Sequence, residues 1–356
     1  MTMTAPRVRS SDRTEEVAQR IEAFYRQKER LAAAHGRTFV ELWAAMRRST
    51  DGGKRFRPAL VVNAHHALGG DRDDEVVVVA TAFELLHAAF LLHDDVIDGD
   101  TVRRGRPNVA GALSARAADE GLGRAAARRW GEGSAILAGD LLIHSAQAMV
   151  ARLRLADGIR TALLDLLEEC MFVTAAGELA DIAFSTGVEL PVLSQVVSMA
   201  QWKTAHYSFQ APLQAGAILA GAGPETLAVL GEYGRNVGIA FQLRDDILGI
   251  FGSQELTGKS TTSDIREGKV TPLMSYALRR TETGELAEIL GRGEASEADV
   301  ARVREILEAV GARSFIEQLI GDYTRAALTA IESPAIPGAL REQLAEVASK
   351  ARQRSS

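Results

Sequence analysis

The chain has one cysteine, Cys170, in 356 residues. That excludes an intramolecular disulfide framework and any metal site built from several thiolates. Only nine prolines and 5% aromatics are present, so little interrupts a long helical pattern. A basic excess is missing too. Lys+Arg number 41 against 47 Asp+Glu, a formal net charge of −6, whereas general binding to a nucleic-acid backbone needs a basic surface. Residues 1–13 are polar and lack the apolar stretch of a signal peptide, so a cytoplasmic location is expected. The hydrophobic fraction of 46% and charged fraction of 25% belong to an ordinary folded protein and exclude global disorder.

What is present reads as helix. The most apolar run, Val76 to Leu92, carries Glu84 and His87 and stops against His93-Asp94-Asp95. Charge at mid-span is expensive in lipid, so this run reads as a buried helix of a bundle rather than a membrane span. Ala135–Leu155, Ile159–Ala183, Leu193–Ala220 and Thr226–Phe251 show apolar residues at helical spacing. Ser296 to Gly311 has an N-cap serine, acids in its first turn and a glycine stop. Asp51–Gly53, Gly99–Gly111 and Gly252–Lys269 read as loops, and Ala115–Gly133 is open between loop and helix. No series of alternating strands, dividing linker or internal repeat stands out. The expectation is one all-α domain over residues 13–350, with a disordered tail at 1–12 and a short tail at 351–356.

The charge is grouped rather than scattered. Asp94, Asp95 and Asp98 close the apolar helix. Residues four apart share a helix face, so Asp94 and Asp98 form a carboxylate pair that repels itself unless a cation lies between. A solvated acidic helix end is the plain alternative. A hard divalent ion with oxygen ligands, such as Mg²⁺ held by a few carboxylates and substrate phosphates, suits the pair better. A second acidic pair, Asp245-Asp246, ends another apolar stretch, which invites the idea that the two motifs face each other across a cavity. The bases are grouped as well: Lys54 and Arg57 after a glycine pair, Arg103-Arg104 directly after the first motif, then Lys203, Lys259 and Lys269. Singly each could be a surface charge. Together they describe a site for phosphorylated anions.

The ordered motifs resemble the trans-isoprenyl diphosphate synthases, the polyprenyl synthetase family. The matching stretches are Gly-Gly-Lys-Arg-Phe-Arg-Pro58, Glu84-Leu-Leu-His87, His93-Asp-Asp-Val-Ile-Asp98, Val102-Arg-Arg-Gly105, Gly139-Asp140, Lys203-Thr204, Gln242-Leu-Arg-Asp-Asp246, Thr257-Gly-Lys259 and Gly268-Lys-Val-Thr-Pro272. They span roughly residues 50 to 275. The resemblance implies a single-domain helical bundle around a central cavity, usually a homodimer, with no transmembrane segment. It implies Mg²⁺-dependent condensation of isopentenyl diphosphate with an allylic diphosphate (dimethylallyl, geranyl or farnesyl) through an allylic cation. By resemblance, Lys54, Arg57, His87 and Arg104 hold the isopentenyl diphosphate. Arg103, Lys203 with Thr204, Gln242 and Lys259 grip the allylic diphosphate, with Lys269 a further cation. Asp94 and Asp98, with Asp95 beside them, and Asp245 are the implied ligands of three Mg²⁺ ions. Helical arithmetic supports His87, since a seven-residue step returns to the face of Asp94.

Two features depart from the family's pattern. Gly249 stands where many members carry a third aspartate of the second motif, which weakens that metal site. The first motif has two residues between its acids, not the four of typical bacterial farnesyl synthases. In this family the residues four and five before the first aspartate help set the floor of the product tunnel. Phe90 lies about 6 Å below Asp94 on the same face, Ala89 beside it is small, and Phe83 sits lower near the same line. The expected product is short: geranylgeranyl diphosphate ahead of farnesyl diphosphate. A class I terpene cyclase and a regulatory subunit of a heteromeric synthase are the rivals, disfavoured by Lys54/Arg57 and by retention of both acidic motifs. Cys170 and His65-His66 have no evident role, and read as residues of a buried and a surface helix respectively.

Overall fold

The computed structural model describes residues 10–50, 55–189, 191–252, 263–281, 284–290 and 295–353. In chain order the long helices are α1 (Ser10–Ala32), α2 (Arg37–Ser49), α3 (Phe56–Ala67), α4 (Asp73–Ile97), α5 (Val109–Asp119), α6 (Arg124–Ala151), α7 (Asp157–Ser185), α8 (Leu193–Ala200), α9 (Ala211–Ala220) and α10 (Pro224–Phe251). A π-helical stretch, Gln201–Gln210, joins α8 to α9. Shorter and later helices follow: α11 (Ser263–Arg266), α12 (Pro272–Leu278), α13 (Glu285–Leu290), α14 (Glu297–Ala309), α15 (Ala312–Ala330) and α16 (Gly338–Gln353). The only β structure among the described residues is a hairpin of β1 (Val102–Arg103) and β2 (Arg106–Pro107). The all-α expectation is met.

Contacts gather the chain into two compact units, residues 1–165 with 214–222, and residues 166–213 with 223–356. The first is built on α4. Asp73, Asp74 and Glu75 fill its first turn, where carboxylates complement the positive end of the helix dipole. Val76 to Ala82 are then all buried. Four successive valines are mediocre helix formers, so tertiary burial decides this segment. α4 and α6 are long and apolar enough to cross a membrane, yet most of α4 is core packing. α6 packs against it, and its Ala135, Ala138 and Ala146 are fully buried. Arg13 of α1 bonds Asp73 at 2.7 Å, and His66 of α3 reaches the same carboxylate at 3.1 Å.

The second unit is built on α10. Gly223 and Pro224 open it, proline at the first helical position needing no N–H partner. Its apolar side, including Leu243, Ile247 and Ile250, packs into one core with Leu273, Leu307 and Ile316. The fully buried Tyr233 donates its hydroxyl to the Leu344 carbonyl at 2.7 Å.

Several expectations shift in detail. α1 begins at Ser10, inside the span assigned to the N-terminal tail, and α16 runs to Gln353. The segment Ala115–Gly133 resolves into the end of α5, a turn and the start of α6, while Gly99–Gly111 contains the hairpin and Gly252–Lys269 contains α11. Asp51–Gly53 lies outside the described residues. Ser296 caps α14 as expected: its hydroxyl accepts from the Asp299 N–H at 3.2 Å, and the Asp299 carboxylate takes the Ser296 N–H at 2.9 Å. Cys170 is buried, and burial pushes its thiol up, so it is no reactive nucleophile. His65 corrects the surface-helix reading, since it is fully buried on α3.

Candidate active site

In the first unit, the C-terminal end of α4 delivers the first acidic motif. The helix continues through it, with the Asp98 N–H on the Asp94 carbonyl at 2.8 Å. Asp94 and Asp98 therefore stay one turn apart, and each offers a carboxylate oxygen within 4.8 Å of the other's. Two oxygens on one hard cation, each about 2.1 Å from it, lie within that separation. The donor set fits Mg²⁺. Asp95 takes a different place. It is only 3% exposed and accepts Arg103 Nε at 2.7 Å, while Arg103 Nη2 reaches Asp94 at 2.8 Å. Burial pushes the Asp95 carboxyl up to about 6, with Arg103 pulling it back and Asp94 and Asp100 adding to the rise.

Arg103 and Arg104 sit on the hairpin. Val102 pairs with Pro107 and Arg103 with Arg106, which leaves Arg104-Gly105 as a two-residue loop. Their φ values of 54° and 71° are those of a type I′ turn, which suits strand twist but favours Asn-Gly over Arg-Gly. Asn108 secures the hairpin base, its side-chain amide donating to the Asp100 carbonyl and its carboxamide oxygen capping α5 through Gly111 N–H, both at 2.8 Å.

Further down α4, burial lowers His87 well below its ordinary value, and Arg57, Arg103 and Arg104 add to the effect. Glu84, one turn lower, is raised by burial while Arg57, Arg55 and Arg104 oppose the rise. The arginines of α3's N-terminus and of the hairpin thus surround one side of α4. Arg55, which carries no expected role, joins them with φ 46° at the α3 N-cap. Ala89 is fully buried and Phe90 half-buried, with Phe83 in the core.

Gly139-Asp140 on α6 explains itself through His93. A Cβ at Gly139 would stand 2.5 Å from His93 Cδ2, so glycine lets the ring lie on α6. Asp140 approaches its Nε2 at 3.4 Å, and the Ile136 carbonyl at 3.2 Å. The residue immediately before Asp94 is thereby fastened to α6.

The second unit holds the remaining groups. Lys203 and Thr204 lie in the π-helical stretch. Lys203 Nζ donates to Asp181 at 2.7 Å and Glu178 at 3.1 Å, both on α7. Asp245 and Asp246 lie on α10, half-buried. Gln242, one turn earlier, donates its amide to Asp246 at 2.9 Å. Lys269 pairs with Glu267 at 2.9 Å. Lys54 and Lys259 lie outside the described residues. Sequence reasoning passed over Glu178, Asp181, Arg55 and His93. Arg55 and His93 lie inside the Gly-Gly-Lys-Arg-Phe-Arg-Pro58 and His93-Asp-Asp-Val-Ile-Asp98 stretches, and Glu178 and Asp181 form a carboxylate pair at i and i+3 directly after Gly177.

The polyprenyl synthetase family matches residues 41–307, most of the chain. The chain belongs to the polyprenyl synthetase family. As a member, it is 35% identical over 286 residues to a short chain isoprenyl diphosphate synthase of Methanothermobacter thermautotrophicus, covering 80% of this chain and 81% of that one. It is 34% identical over 285 residues to a geranylgeranyl diphosphate synthase of Methanosarcina mazei, with the same coverage of 80% and 81%. A crystal structure of geranylgeranyl pyrophosphate synthase from Corynebacterium glutamicum, complexed with isoprenyl diphosphate and magnesium, superposes with a TM-score of 0.89 at 31% identity. That match covers 98% of this chain and 100% of the other. The present chain shares that structure's fold.

Proposed function

We propose that the chain is a magnesium-dependent prenyltransferase that joins isopentenyl diphosphate head to tail (1′-4) to an allylic diphosphate, with geranylgeranyl diphosphate as the product. The observation that carries this reading is the Asp94/Asp98 oxygen pair at the end of α4, beside an arginine-bearing hairpin. Asp94 and Asp98 would hold two Mg²⁺ ions and Asp245 a third. When bound, Mg²⁺ supplies the positive charge that stabilises the diphosphate as it leaves the allylic carbon.

The chain's own residues do the rest. Arg103 is oriented by Asp95 and, with Lys203, Lys259 and Lys269, neutralises the departing allylic diphosphate, to which Thr204 and Gln242 add uncharged hydrogen-bond donors. Arg57, Arg104, Lys54 and His87 hold isopentenyl diphosphate. His87, whose protonation burial and the neighbouring arginines disfavour, holds it through a ring N–H hydrogen bond. Apolar residues keep water from the allylic cation, which it would quench. The double bond of isopentenyl diphosphate attacks that cation, and the proton then lost passes to the released diphosphate, so no protein base is required. Phe90, half-buried below Asp94, limits chain growth with Ala89 beside it.

We further infer a cytoplasmic homodimer. Phe172 and Leu179 on α7 are 78% and 67% exposed, and Leu137 on α6 is 59% exposed. Phe172 and Leu179 stand seven residues apart, on one face of α7, and form an apolar stripe that a second copy would cover.

The test is incubation of the pure protein with isopentenyl diphosphate, Mg²⁺ and each allylic diphosphate in turn, with product length read by mass. Geranylgeranyl diphosphate is expected. A product stopping at farnesyl diphosphate would assign the shorter specificity. A cyclic hydrocarbon from one substrate would mean a cyclase, and no condensation with any primer a regulatory subunit.

A further inference from the structure

Lys203 sits on an unusual backbone. α8 and α9 are ordinary α-helix, but the Gln201–Gln210 stretch between them is π-helical over ten residues. Such widened turns are rare, appear mostly as single turns, and concentrate at functional sites. This one is seated on α7. A Cβ at Gly177 would stand 2.7 Å from Lys203 Cα and 2.8 Å from the Trp202 carbonyl carbon. Any side chain at 177 would therefore push the π-helical backbone away at the lysine itself.

Directly after that glycine, α7 presents two carboxylates to the lysine ammonium. Asp181 Oδ2 is 2.7 Å from Nζ and Glu178 Oε2 is 3.0 Å from it. The side chains of Lys203, Glu178 and Asp181 are 18%, 18% and 11% exposed. Two carboxylates converge on one poorly solvated ammonium. A contact needed only for stability would be served as well by apolar packing. What the pair does provide is a fixed place for a flexible cation. A lysine loses rotamer freedom when its stem is immobilised, and here that loss is taken in folding, before any ligand arrives.

We propose that Asp181, with Glu178 as its second carboxylate, is a positioning residue that aims Lys203 at the diphosphate of the allylic substrate. This rests on the reading that Lys203 grips that diphosphate. Asp181 makes the shorter contact and is the more buried acid, so it is the permanent anchor. Glu178 is the partner exchanged when a phosphate oxygen takes up one of the three ammonium N–H donors. Gly177 completes the device by letting the lysine backbone rest on α7.

A double-mutant cycle on the full-length protein tests this. Steady-state kinetics are measured for wild type, Asp181→Asn, Lys203→Ala and the double variant, varying each diphosphate substrate at saturating levels of the other. Asp181→Asn and Lys203→Ala should each raise KM for the allylic diphosphate about tenfold or more. KM for isopentenyl diphosphate should stay within about twofold, and the double variant should match Lys203→Ala alone. Asp181→Glu should restore part of the loss. The proposal is overturned if the double variant loses the product of the two single losses, if Asp181→Asn leaves the allylic KM unchanged, or if it raises both KM values alike. An unchanged allylic KM in Lys203→Ala would instead remove the role of Lys203, and the proposal with it. Should Asp181→Asn lose its helical circular dichroism, the same cycle is run with Glu178→Gln. Non-additivity with Lys203→Ala then supports the proposal and additivity overturns it.

Discussion

Gly139 on α6 lies under the imidazole of His93 on α4, so closely that a Cβ would overlap the ring. The contact sets how the helix that ends in Asp94 and Asp98 lies against its neighbour. Gly139→Ala has to displace the ring and with it the His93 contacts to Asp140 and the Ile136 carbonyl. The expected cost is about 1–3 kcal/mol in urea denaturation. Condensation should also slow because the carboxylates shift, and full activity at reduced stability would detach His93 from the site.

Arg104 occupies the left-handed region in a turn that favours asparagine. A non-glycine residue there costs on the order of 1–2 kcal/mol, and a surface hairpin has no structural need for that strain. Arg104→Asn should leave the protein as stable or more stable, by up to about 1 kcal/mol in thermal unfolding. It should raise KM for isopentenyl diphosphate roughly 10- to 100-fold through loss of a charged hydrogen bond. Stability and binding moving the same way would contradict the assignment.

Phe90 stands one turn from Asp94 and is half-buried. Phe90→Ala should open the space below the aspartates and lengthen the products by one or more five-carbon units, read by chromatography of the dephosphorylated alcohols. An unchanged product profile would remove Phe90 from the account of chain length.

His65 is fully buried, accepts the Arg72 N–H at 3.2 Å, and is lowered to about 4 by burial and the neighbouring His66. The native state keeps it neutral while the unfolded chain takes up a proton below about 6.5. Its contribution to stability is therefore complete above about 6.5, declines as pH falls through the window, and stops declining near 4. The slope is at most about 1.36 kcal/mol per pH unit for one proton. The stability difference between wild type and His65→Gln, followed by urea denaturation from pH 7.5 to 5, should shift against wild type as the pH is lowered. A difference independent of pH would mean that His65 takes up its proton equally in the native and unfolded states.

Much of this molecule is legible in its sequence. The helical periodicity, the Ser296 cap and the two acidic motifs are local patterns, and local patterns survive without coordinates. Other features depend on partners distant in the chain. Asp181 precedes Lys203 by 22 residues and meets it only because α7 packs against the π-helical stretch. That stretch is itself illegible, since a π-helix has the composition of an α-helix and differs in register. The hairpin hid for another reason. Strands of two residues are too short to alternate, and Arg104-Gly105 lacks the usual Asn-Gly signature. His65 was misplaced because a polar residue in a helix reads as surface unless the packing around it is known.

The most direct test of the central claim is transfer of labelled isopentenyl units to an allylic diphosphate by wild type and by Asp94→Ala, each across a Mg²⁺ titration. Wild type should form prenyl diphosphate only when Mg²⁺ is present. Asp94→Ala should stay folded and lose at least about 10²-fold in kcat. Equal turnover by the two proteins, or wild-type turnover unaffected by a chelator, would contradict a magnesium-dependent prenyltransferase built on this aspartate motif.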